Sequence, residues 1–76
     1  MTDARDAVLA VLRDAGEPLH WTTVQDRALR RGLLDPFEHP DVRRQVQLAL
    51  RDLLREGTVA KRSTGVYELA APPEDD

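Results

Sequence analysis

Apolar residues recur at helical spacing near the start of the chain. Val8, Leu9, Val11 and Leu12, flanked by Ala4 and Ala15, make one stripe. The spacing predicts a helix from Thr2 or Asp3 to Ala15. Either polar residue can take the free N–H groups of the first turn, and Gly16 ends the helix because glycine tolerates positive φ. "GEP", Gly16 to Pro18, then breaks the chain. Leu19-His20-Trp21 is too short for a helix and reads as a strand stub. "TTVQ" follows and matches a capping box: the Thr22 hydroxyl accepts from the backbone N–H of Gln25, and the Gln25 side chain reaches back to Thr22. A second helix is therefore expected from Thr23 to about Arg31, stopped by Gly32, with Val24, Ala28 and Leu29 inward.

"LLDPFEHP", Leu33 to Pro40, is a linker with two prolines, and Leu33, Leu34 and Phe37 are expected to cover one end of the core. The longest helix follows, from Asp41 to Glu56, ended by Gly57. Val42, Val46, Ala49, Leu50 and Leu53 recur on one face of it, and Arg43, Arg44, Gln47, Arg51 and Arg55 on the other. Beyond it "TVAKR" and "VYEL" flank "STG", a hairpin with Gly65 in its turn and Val59, Tyr67 and Leu69 inward. "AAPPEDD", Ala70 to Asp76, lacks bulky apolar residues and reads as disordered.

The expected order is helix, short strand, helix, helix, strand, strand. That is an α+β fold, a winged helix-turn-helix of three helices with a small antiparallel sheet. The strand near residues 19–21 lies beside Val66–Leu69 of the hairpin 58–69. The third strand matters, because an isolated two-stranded hairpin is marginal in water. One winged-helix domain over residues 1–70 and an acidic tail over 71–76 result. Trp21, Val46, Leu50, Leu53, Tyr67 and Leu69 are expected in one core.

The chain of 76 residues carries a net −3, but residues 42–67 hold six basic residues against Asp52 and Glu56, a net +4. Residues 1–41 hold five arginines against eight acids, and residues 68–76 hold four acids. Such asymmetry can mark a nucleic-acid surface, or simply a solvated helix face. The acids at the tail's end are expected to screen the basic middle transiently. There is no cysteine, so neither disulfides nor thiolate zinc can staple so small a core. The apolar runs fall far short of the ~20 residues that span a bilayer, and the N-terminus carries charges throughout, so no membrane partner is expected and the localisation expected is cytoplasmic.

Three pieces carry a family likeness: "AVLAVLRDAGEPLHWTTVQDRALRRGLL" (7–34), "VQLALRDLLREG" (46–57) and "STGVYEL" (63–69). Together they resemble the HARE-type helix-turn-helix, a winged-helix domain. It occurs in Asx-like chromatin proteins, in restriction endonucleases and in the delta subunit of bacterial RNA polymerase. The resemblance implies binding to DNA, or docking within transcription and chromatin complexes.

Trp21 reads as a core residue packed under the third helix, and His20, on the opposite side of the stub, as exposed or locally hydrogen-bonded. His39 precedes Pro40 in the linker and can cap the third helix. The two histidines and scattered carboxylates show no metal-ligand spacing, and no nucleophile–base pattern or phosphate-cradling loop stands out. No enzyme activity and no cofactor are expected. Arg44, Gln47, Arg51 and Arg55 form the sharper signal, with Arg43 beside them, because arginine and glutamine are the types that read guanine and adenine edges. The plainer reading is a face neutralised within its own helix, since Asp52 and Glu56 lie close to arginines. Lys61 and Arg62, near the hairpin tip, are expected to meet phosphate or the minor groove, and Arg27, Arg30 and Arg31 to add phosphate contacts. Two functions stay open: a monomer or weak dimer that binds double-stranded DNA, or a module that docks on a protein of the transcription machinery.

Overall fold

The computed structural model describes residues 3–38 and 40–70. The expectations for Thr2, for a capping role of His39 and for the tail 71–76 lie outside the described residues. The elements are α1 (Ala4–Ala15), β1 (Leu19–His20), α2 (Trp21–Arg30), α3 (Val42–Glu56), β2 (Val59–Ser63) and β3 (Val66–Leu69). The fold is α+β: three helices and a three-stranded antiparallel sheet ordered β1-β3-β2, a winged-helix arrangement.

Each helix is set by its own caps and by the face it buries. The Asp3 carboxylate accepts from the backbone N–H of Asp6, and Gly16 closes α1 in the left-handed region. Its stripe of Ala4, Ala7, Val8, Val11 and Leu12 is buried. In α3 the Asp41 carboxylate accepts from the Arg44 N–H, Gly57 closes the last turn, and Val42, Val46, Ala49, Leu50 and Leu53 are buried, the face that the spacing picks out. Val8, Val24, Val46, Leu50 and Leu53 pack at the centre, and Leu19, Leu34 and Val59 close it from the sheet and the linker.

The start of α2 corrects the capping-box expectation. The helix begins at Trp21, and His20 is its N-cap. The His20 Nδ1 takes the backbone N–H of Thr22 at 3.2 Å and meets the Thr22 hydroxyl at 2.8 Å. Thr22 therefore lies inside the first turn, and Gln25 is released from any reciprocal bond; its Oε1 is buried without a partner among the described residues. The cause is the sheet. β1 pairs with β3 through Leu19–Tyr67 and His20–Val66, and the next amide, Trp21 N–H, donates to the Gly65 carbonyl at 2.8 Å. One of the orphan amides at the helix start is thus satisfied by the hairpin. The chain turns into the helix directly where pairing ends, two residues earlier than the threonines suggest.

Four apolar residues depart from their expected places. Phe37 does not cover the core; it is 92% exposed, while Leu34 is buried and Leu33 partly so. The Asp35 carboxylate accepts from the Phe37 N–H at 2.9 Å, and the Glu38 N–H donates to the Asp35 carbonyl at 3.0 Å. These bonds close a turn with Pro36 at its second position and aim Phe37 outward. Trp21, expected in the core, is half-buried at its margin, like Tyr67 and Leu69.

Candidate nucleic-acid interface

The buried face of α3 fixes where its other face points. At 100° per residue Arg44, Gln47, Arg51 and Arg55 fall within about 80° of one another, opposite the buried residues. All four are exposed, and so are Arg43, Lys61 and Arg62. The stripe from Arg44 to Arg55 extends about 16 Å along the axis, at 1.5 Å per residue.

Whether the stripe is a net cation depends on where its acids go. The Glu56 carboxylate is bonded to Arg5 of α1, not to an arginine of its own helix. That hydrogen bond and the attached charge raise the Arg5 pKa above its usual value. Asp52 meets Arg51 at 3.4 Å, a loose contact between two exposed side chains. Among the described residues Arg44 and Arg55 have no carboxylate partner. The helix therefore keeps more positive potential than its sequence composition suggests.

Arg43 stands apart from the stripe. Its guanidinium carbon lies 5.3 Å from the centre of the Trp21 ring, within cation–π range. The ring also lies 5.8 Å from that of His20. Trp21 thus holds Arg43 back toward α2. This contact ties together residues 22 positions apart, and no local signal in the sequence announces it.

The arginines of α2 are mostly engaged elsewhere. Arg30 pairs with Asp26 at 3.1 Å one turn earlier, and Arg31 pairs with Asp14 of α1 at 2.6 Å. The first pair follows from i,i+4 spacing and is legible in the chain; the second depends on how α1 and α2 pack. Arg27 is exposed and in no ion pair among the described residues.

The hairpin is short and tied down. Ser63 faces Val66, and only Thr64 and Gly65 connect the strands. Between Lys61 and Ser63 the register shifts, so Arg62 is an extra, bulged residue, and its guanidinium reaches Glu68 at 3.3 Å. Gly65 has φ of 76°, and a side chain there would start 2.7 Å from His20 Nε2. Lys61 and Arg62 thus lie on the outer strand β2, just behind the two-residue turn and near the tip as expected.

Comparison with family models, with curated proteins and with solved structures returns no match to this chain. Among the described residues no helix is long and apolar enough to cross a membrane.

Proposed function

We propose that this chain is a DNA-binding winged-helix module of the HARE-type kind that its sequence resembles, acting in transcription regulation or chromosome organisation. Helix α3 is the recognition helix, and Arg44, Gln47, Arg51 and Arg55 face the duplex. The observation that carries the reading is the diversion of Glu56 to Arg5, which leaves the solvent face of α3 cationic in an acidic protein. A helix about 22 Å long with its polar face free is suited to a major groove about 12 Å wide.

The net charge of −3 opposes approach to DNA, so binding is weak, about 10⁻⁴–10⁻⁶ M near physiological salt. Neutralising about four to six phosphates gives a slope of roughly −4 to −5 in log affinity against log salt. Fluorescence anisotropy with a labelled mixed-sequence duplex at 50 and 200 mM salt tests this. A loss of roughly 10²–10³-fold across that range is expected; binding that ignores salt, or its absence, contradicts the reading.

One observation favours a second reading, docking on a protein of the transcription machinery. Phe37 is displayed on a turn whose surroundings, residues 35–41, carry Asp35, Glu38 and Asp41 and no lysine or arginine. That segment is repelled by phosphate but suits a protein surface. A partner bound through Phe37, with no DNA shift in the wild type, separates this reading from the first.

A further inference from the structure

We infer that the duplex is read from its major groove alone, the hairpin supplying no minor-groove contact. The inference rests on the DNA-binding reading above and departs from what a winged helix with a reaching wing would do. Three observations carry it.

The first is reach. The last rung of the sheet aligns His20, Val66 and Ser63, and the connection past it is Thr64 and Gly65. At about 3.3 Å per residue the tip extends roughly 3–4 Å beyond that rung, whereas the minor groove is about 7.5 Å deep. The second is attachment. Trp21 N–H holds the Gly65 carbonyl at 2.8 Å, and the His20 ring lies against Gly65 so closely that no side chain fits between them. The turn is therefore part of the α2 start and cannot swing outward without breaking that contact. The third is chemistry. Narrow minor grooves draw inserted arginine or lysine, and Ser63, Thr64 and Gly65 offer none. The basic residues of the hairpin lie behind the tip. Lys61 sits level with Tyr67, and Arg62 is bonded to Glu68. Lys61 can reach a backbone phosphate, which positions the domain without reading sequence.

Base reading then falls to α3. Arg44 and Arg51 are two turns apart on one face with Gln47 between them. Guanine N7 and O6 are the acceptors that arginine takes in pairs, and both lie in the major groove. The duplex preferred is one with guanine at positions facing Arg44 or Arg51.

The test uses the full chain and one guanine-containing duplex that also has an A·T tract, in three forms. The first is unmodified. The second has 7-deazaguanine, which removes the N7 acceptor from the major groove only. The third is saturated with netropsin, which fills the A·T minor groove. The expected result is a loss of about 10-fold with 7-deazaguanine and a change of less than about two-fold with netropsin, the first figure following from the discrimination of a bidentate arginine pair. Displacement of the protein by netropsin overturns the inference, and so does indifference to 7-deazaguanine. Failure to bind the unmodified duplex is a different outcome: it overturns the DNA-binding reading itself, and this inference with it.

Discussion

Glu56, at the last turn of α3, is bonded to Arg5, at the first turn of α1. The pair lies on the surface and contributes little to stability, as exposed pairs do. Its consequence is electrostatic: an acid that could neutralise the solvent face of α3 is held by α1 instead. The two acids of α3 should therefore respond differently to removal. Asp52→Asn frees Arg51 and should tighten DNA binding measurably at low salt. Glu56→Gln removes an acid already matched and should change binding less. Affinities of both variants at 50 mM salt decide this; equal effects would show that pairing with Arg5 does not matter.

Leu50 is 1% exposed at the centre of the packing. Leu50→Ala should lower stability by about 2–5 kcal/mol, as buried leucine truncations do, and in so small a domain that approaches the whole. Urea unfolding followed by circular dichroism measures it. A cost below about 1 kcal/mol would place Leu50 outside the core.

Gly65 and Gly32 both have positive φ, 76° and 72°, but only Gly65 faces a neighbour closely, the His20 ring. Alanine at either position carries the left-handed penalty of about 1–2 kcal/mol. At Gly65 it also meets His20 Nε2 at 2.7 Å. The ring must then move, which disturbs the cap at Thr22. Gly65→Ala should be the more destabilising of the two in the same urea series. The order of the two values is the test, and a reversed order would contradict the attachment of the turn to α2.

Arg43 and Arg44 are neighbours in sequence with different surroundings. Arg43→Ala should cost about 0.5–1 kcal/mol of stability through the lost contact with Trp21, and should change Trp21 fluorescence. It should leave the salt slope of DNA binding nearly unchanged. Arg44→Ala should leave the fluorescence alone and reduce the slope by about 0.9, one phosphate's worth. Interchanged results would move the interface toward α2.

What the chain reveals about itself follows the range of the interactions. The third helix is legible in its extent and its buried face because one amphipathic period and a terminal glycine agree over fifteen residues, but its N-cap is Asp41, which the spacing places as the first helical residue. The hairpin and its partner strand are legible because Gly65 and the short apolar runs mark them locally. The cap of α2 is not. Threonine and glutamine in the right places suggest a capping box, yet the helix start is dictated by pairing with β3, some 45 residues away, and histidine is not a usual cap. Phe37 misleads because a lone apolar residue between prolines has no period to say which way it points. Within the candidate site, the exposure of Arg44, Gln47, Arg51 and Arg55 follows from the period. The diversion of Glu56 and the capture of Arg43 by Trp21 depend on how helices pack, which local spacing does not encode.

DNA binding by the solvent face of α3 is the proposal on which the site residues rest. The most direct measurement is an amide chemical-shift titration with duplex DNA at 50 mM salt, run on the wild type and on Arg44→Glu combined with Arg51→Glu. The double change reverses the centre of the stripe and leaves the buried face untouched. Shifts along α3 are expected in the wild type, with a variant whose spectrum stays dispersed and folded but no longer responds to DNA. A wild type that shows no shift with any duplex, or a folded variant that binds as well as the wild type, would contradict it.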